Sequence, residues 1–292
     1  LHALRPVHGS RHGFIGPSQF VYRGEMLVAL RWRSMLSRRD VFALLVSATM
    51  ARCMTRGREE GDVDGTSSSA EHEQGRIGAR PGAVAGEGAR GLQALNKGTR
   101  GGTLYVPATY DPRKAAPLVV VLHGAGGAGA RAIGGLQEHA DEHGMILVAP
   151  DSRGQTWDVI QGEIGPDVAR IDSVLRGIFT RYAIDPARLC VSGFSDGASY
   201  ALTLAVANGD LFTHCIAFSP GFLAPPVQSG KPRIFISHGT DDEVLPIDAC
   251  SRRLVPRLER AGYEVTYREF EGPHTVPHDV ADEAVDWFLT PR

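Results

Sequence analysis

From about residue 92 onward the chain repeats one pattern: a short apolar run, a turn, then a longer amphipathic stretch. The clearest run is "P-L-V-V-V-L-H-G" at 117–124. An apolar run without alternation belongs to a strand covered on both faces, as in a parallel sheet between two layers of helices. Further strands are predicted at "G-T-L-Y-V-P" (102–107), "M-I-L-V-A-P", "R-L-C-V-S-G", "H-C-I-A-F-S", "R-I-F-I-S-H-G" and "E-V-T-Y-R-E-F". Between them, helices are predicted from Ala130 to His143, Asp167 to Tyr182, Ala198 to Asn208, Ile247 to Ala261 and Val280 to Leu289. In the second of these, Val168, Ile171, Val174, Leu175 and Ile178 fall on one face. Strands alternating with helices predict one three-layer α/β domain over 92–292, with a mostly parallel sheet and no internal repeat.

"L-H-G-A-G-G-A-G" at 122–129 holds Gly124, Gly126 and Gly129 at the spacing G-x-G-x-x-G, with Asp151 about 20 residues on. That outlines a dinucleotide-binding turn. It equally outlines a glycine-rich loop that aims backbone N–H groups at an oxyanion. Both need glycine because backbone must approach a negatively charged oxygen closely. The loop alone does not decide between them.

"S-G-F-S-D-G-A-S-Y" at 192–200 contains G-x-S-x-G centred on Ser195, between a predicted strand and a predicted helix. This is the setting of a nucleophile elbow, a tight turn that lifts a serine hydroxyl above the sheet edge. A plain glycine-rich turn is the alternative. A serine needs a base for its proton, and the base needs a carboxylate to orient it. In chain order after Ser195 come the candidate acids Asp241 and Asp242, beside His238 in "H-G-T-D-D-E-V-L-P". His274 and His278 follow in "E-G-P-H-T-V-P-H", a loop between the last strand and the last helix. Catalytic groups in open α/β sheets gather on such loops, so His274 is the expected base and His278 its rival.

Together "L-H-G-A-G-G", "G-F-S-D-G", "H-G-T-D-D-E-V-L-P" and "G-P-H-T-V-P" resemble the α/β-hydrolase superfamily. The nearest groups are the bacterial phospholipase/carboxylesterases and the polyhydroxybutyrate-depolymerase-like esterases. The resemblance covers roughly residues 100–290. It implies an α/β-hydrolase fold without a large lid domain, a Ser195–Asp242–His274 triad, and an oxyanion hole from the N–H groups of Ala125 and Asp196. Asp242 is chosen because the family's acid stands fifth in H-G-x-x-D-x-x-x-P. Asp196 departs from the residue types usual after the serine, and its side chain is expected to point away. The nucleotide reading then recedes, since it leaves Ser195, Asp242 and His274 unexplained, and Asp151 becomes a strand-end residue.

The first 91 residues read differently. Residues 1–60 carry ten Arg against four acidic residues, +6, so the remainder carries −8 of the net −2. A basic head fits nucleic acid or an anionic membrane, but also a targeting segment, which is the expectation here. Arg38 and Arg39 precede an 11-residue apolar run, Val41 to Ala51. The run is shorter than the about 20 residues a spanning helix needs. It fits the core of an export signal over Met35–Ala51, and "S-R-R-D-V-F-A" resembles a twin-arginine signal. Residues 1–54 are therefore expected to be a leader. Cys53 suggests lipidation, although Arg52 departs from the small residue such sites carry. Residues 55–91 hold almost no large apolar residues and are expected to be a flexible linker.

The four cysteines show no zinc or disulfide spacing, and no cofactor or metal is expected. No nucleic-acid partner and no stable membrane insertion are expected either. Trp157, Phe222 and Leu223 are candidate walls of a substrate cleft. Each has a plainer alternative: core filler for Trp157, loop packing for Phe222. The loop "S-P-G-F-L-A-P-P-V-Q-S-G-K-P" is too short for a helical lid. The expected function is a serine carboxylesterase acting on short acyl esters. The alternatives are a polyester or feruloyl-type esterase and, from another class, an inactive binding protein on a hydrolase fold.

Overall fold

In the computed structural model, residues 64–86, 88–95 and 101–291 are described. The expected leader and export signal lie outside them. Eight strands form one sheet: β1 (Gly91–Ala94), β2 (Gly102–Val106), β3 (Ala116–Leu122), β4 (Ile146–Pro150), β5 (Ile184–Phe194), β6 (His214–Phe218), β7 (Arg233–Gly239) and β8 (Val265–Phe270). Their spatial order is β1-β2-β4-β3-β5-β6-β7-β8. β1 and β2 run antiparallel to their neighbours; from β4 to β8 all pairs are parallel.

The helices are α1 (Asp64–Glu73), α2 (Gly129–Gly134), α3 (Gln137–His143), α4 (Pro166–Phe179), α5 (Asp196–Ala207), α6 (Ser251–Arg260) and α7 (His278–Leu289). Alternation along β3 divides the core. Leu118, Val120 and Leu122 pack with Ile171 and Leu175 of α4, Leu204 of α5 and Leu254 of α6. Val119 and Val121 pack with Ile133 of α2, Ala140 of α3, and Val280 and Phe288 of α7. Both faces of the sheet are thus covered, as the unbroken apolar runs require. Cys190 and Cys215 are fully buried in these layers, as small hydrophobes.

Two expectations need correction. The helix predicted over 130–143 is two short helices, separated at Gly135, where the chain leaves helical pairing before α3 begins. The expected linker is structured over its described residues, 64–86 and 88–91. Ile77 and Ala79 are buried in the main core. Ile77 N–H donates to Asn208 Oδ1 at 2.7 Å, Asn208 Nδ2 donates to the Gly75 carbonyl at 2.7 Å, and Ala79 N–H donates to Asp172 Oδ1 at 2.7 Å. Arg76 pairs with both oxygens of Asp210. The segment is fixed chiefly by polar groups meeting partners more than ninety residues away, which low apolar content does not reveal. Burial alone would raise the Asp172 carboxyl; hydrogen bonds from His72, Ala79 and Arg176 outweigh it and hold it below the usual carboxylate range.

Candidate active site

β5 ends and α5 begins at Ser195, whose backbone is φ 58, ψ −119. A non-glycine residue in this region is strained and persists only where its surroundings over-determine it. Here the Ser195 N–H donates to the Phe218 carbonyl at 3.0 Å. The flanking glycines make the turn possible. A Cβ on Gly193 would run into the Gly197 carbonyl, and one on Gly197 into the Leu122 carbonyl. Ser195 is 9% exposed, at the carboxyl edge of the sheet.

Asp242 follows β7 and is buried, while Asp241 is exposed. Asp242 Oδ1 accepts the N–H groups of Val244 and Leu245 at 2.9 and 2.8 Å. Its Oδ2 meets His274 Nδ1 at 2.6 Å. The structure therefore distinguishes both sequence ambiguities. Of the two adjacent acids it is Asp242 that is buried beside His274, and of the two candidate bases, His274 and His278, only His274 reaches it. His278 starts α7, is mostly exposed, and pairs with Asp282. With Nδ1 on the carboxylate, His274 Nε2 is buried and has no hydrogen-bond partner among the described residues. An imidazole held this way presents a free nitrogen that can take a proton from a hydroxyl. The ring of Phe194, the residue before Ser195, lies 4.6 Å from the His274 ring.

Behind Asp242 stands His238, fully buried. Its Nδ1 accepts the Ser251 hydroxyl at 2.6 Å, and its Nε2–H donates to the Leu245 carbonyl at 2.7 Å and lies 3.2 Å from Asp242 Oδ2. Burial lowers its pKa despite that carboxylate, which favours the neutral ring. It braces the turn that carries Asp242. The sequence signal for it was its place in "H-G-T-D-D".

The 122–129 loop approaches the elbow closely: a Cβ on Gly124 would sit 3.4 Å from Ser195 Cβ. His123, 3% exposed, organises this loop. Ser152 N–H donates to its Nε2 at 3.0 Å, so the ring proton sits on Nδ1 and is donated to the Gly124 carbonyl at 2.8 Å. Gly127 N–H donates to the same carbonyl at 3.0 Å. In a trans peptide C=O and N–H point in opposite directions, so the Ala125 N–H is turned away from this network. Asp196 Oδ2 accepts the Thr156 hydroxyl at 2.6 Å, so its side chain is engaged with the 152–157 loop. Asp151 Oδ1 accepts the Gly129 N–H at 2.7 Å and thus serves as a support for the start of α2.

Trp157 does not line an open cleft. It is fully buried, its indole N–H donates to the His123 carbonyl at 2.8 Å, and its ring stacks on Tyr200. A large flat ring with one donor filled the space under the loop and satisfied a carbonyl there, which spacing alone could not foretell. Leu223 packs against the main core, and Phe222 is half-buried. A cavity of about 270 Å³ is lined by Gly124, Phe194, Leu136, Phe218 and Val276, among others; Ser195, Asp242 and His274 do not line it.

No protein-family profile matches the chain. Over 153 residues it is 31% identical to a protein named probable feruloyl esterase C from Aspergillus oryzae, a match covering 50% of this chain and 56% of that one. The chain spans about half the length of the curated relatives it matches. Among solved structures it resembles esterase PE8, with TM-score 0.50, 25% identity, and coverage of 63% of this chain and 97% of that one. It also resembles a phospholipase/carboxylesterase from Dyadobacter fermentans, with TM-score 0.52, 23% identity, and coverage of 71% and 100%. The chain has the α/β-hydrolase fold, and the proteins it resembles in sequence and in architecture are named as esterases.

Proposed function

We propose that the chain is a serine carboxylesterase that hydrolyses short acyl esters through an acyl-enzyme. The observation that carries this reading is the 2.6 Å contact between His274 Nδ1 and Asp242 Oδ2, with His274 Nε2 buried and unpartnered. In this reading Ser195 Oγ attacks the ester carbonyl as His274 Nε2 takes its proton. Asp242 holds the ring and offsets the imidazolium charge that forms. The oxyanion is received by the N–H groups of Ala125 and Asp196, each donor contributing on the order of 3 kcal/mol. His274 then returns the proton to the leaving alkoxide, and water repeats the sequence on the acyl carbon.

In this reading the acyl group would sit in the cavity lined by Gly124 and Phe194, which adjoin Ser195 although Ser195 itself does not line it, in place of the Trp157 wall. At about 270 Å³ it lies at the small end of ligand pockets, which favours a small acyl group. A second reading, an aromatic (feruloyl-type) acyl group, is favoured by the phenyl rings of Phe194 and Phe218 and by the resemblance to feruloyl esterases. Hydrolysis of p-nitrophenyl acetate against methyl ferulate separates the two. The first reading expects higher kcat/KM on the acetate; a clear preference for the ferulate replaces it with the second. Turnover of neither ester, or turnover that survives Ser195→Ala, contradicts both.

We also propose export, on the Arg38–Arg39 pair ahead of the apolar run. Among the described residues no helix is long and apolar enough to cross a membrane. A reporter fused to residues 35–91 should cross the bacterial inner membrane and stop doing so with both arginines changed to Lys. A reporter that stays in the cytoplasm in both forms contradicts export.

A further inference from the structure

Away from Ser195, the stretch "H-A-D-E-H" at 139–143 forms the last turns of α3. Positions i, i+3 and i+4 of a helix share a face. His139, Glu142 and His143 accordingly project together, and one donor atom from each lies within 4.8 Å of the other two. His143 Nε2 and Glu142 Oε2 are 3.9 Å apart. The facing helix adds a carboxylate: Asp282 Oδ1 of α7 stands 3.1 Å from His139 Nε2 and 2.9 Å from His278 Nδ1.

Two imidazoles and a carboxylate are the donor set of a first-row transition dication such as Zn²⁺; Mg²⁺ and Ca²⁺ prefer oxygen alone. Donors bound at about 2.0–2.2 Å stand roughly 3.4 Å apart in a tetrahedron. The His139 side chain is 13% exposed and held from behind, whereas those of His143 and Glu142 are 30% and 73% exposed. Two mobile side chains can therefore close on a fixed one. The field is favourable as well. The cluster sits at the negative end of α3, and Glu138 and Asp141 share its helix. The Asp282–His139 pair repeats the carboxylate–histidine arrangement that orients metal-binding imidazoles.

We propose that this surface binds one divalent transition-metal ion through His139, Glu142 and His143, with Asp282 orienting His139 and a fourth position left to water. The site is separate from the esterase chemistry and does not depend on it.

The test uses the full chain, stripped with a chelator, dialysed and titrated with ZnCl₂, with MgCl₂ as control. Zinc equivalents retained after gel filtration are compared between the parent and His139→Gln/His143→Gln, with His143→Gln alone as the milder change. The parent should retain one more equivalent than the double variant and rise in Tm with zinc but not with magnesium. Asp282→Asn should keep that equivalent with about tenfold weaker affinity. Hydrolysis of p-nitrophenyl acetate by the zinc-free proteins should be equal in parent and double variant. Equal zinc retention in parent and double variant, or none in the parent, overturns the site; unchanged affinity in Asp282→Asn overturns the role of Asp282.

Discussion

Burial decides which carboxylate of the loop after β7 can hold a histidine. Asp241 and Asp242 are adjacent, yet one is exposed and the other is buried and bonded to His274. His274 and His278 are four apart, yet only the first reaches Asp242. Ser195→Ala and His274→Ala should each remove nearly all hydrolysis, and together cost little more than either alone, because the groups act as a unit. Asp242→Asn should cost about 10⁴ in kcat, as loss of the triad acid does by fixing the wrong tautomer. Asp241→Asn and His278→Ala should stay near the parent. Steady-state kinetics on p-nitrophenyl acetate checks all five, and a swap of either pair would reassign the acid or the base. Ser195, Asp242 and His274 stood out in the sequence because each sits in a short motif with fixed local geometry. Trp157, His123 and Thr156 were not legible as supports, since their partners lie 29 to 40 residues away along the chain.

At the scale of elements, strands and long helices were legible wherever apolar side chains carried the packing. β3 and β4 follow from unbroken apolar runs, and α4 from its apolar face. Segment 64–86 was not, because besides two buried apolar residues, Ile77 and Ala79, its anchors are side-chain oxygens of Asp172, Asn208 and Asp210. Those anchors can be tested by acid. A carboxyl depressed in the folded state gives stability that is complete above its unfolded pKa and is lost as pH falls through the folded one. Asp172 is depressed, so its contribution should be present at pH 5 and above and fade below about pH 4. Urea midpoints measured from pH 7 to pH 3 should fall for the parent and fall less for Asp172→Asn, which starts lower. Parallel curves would mean that Asp172 does not couple this segment to pH. Ile77→Ala should destabilise by about 2–5 kcal/mol, as truncation of a buried side chain does.

For the whole molecule, the sheet brings loops after β3, β5, β7 and β8 to one edge, so that Gly124 lies against Ser195, and the His274 ring, bonded to Asp242, lies against Phe194. No helix is inserted between β6 and β7, where the chain passes 219–232 without regular structure. With a small cavity beside the elbow, added acyl carbons should gain about 0.8 kcal/mol each only until the wall ends. The dependence of kcat/KM on acyl length should therefore peak at roughly two to six carbons, with no jump above the micelle concentration. A rise continuing to long chains would indicate a deeper tunnel.

If Ser195 is an activated nucleophile, the protein will be labelled covalently at that residue. A fluorophosphonate reacts at appreciable rate only with a serine whose proton is being removed. Intact-mass measurement should show a single adduct on the parent, mapped by peptide sequencing to Ser195. His274→Ala should label far more slowly, and Ser195→Ala not at all. An unlabelled parent, or an adduct that persists in Ser195→Ala, would contradict the account.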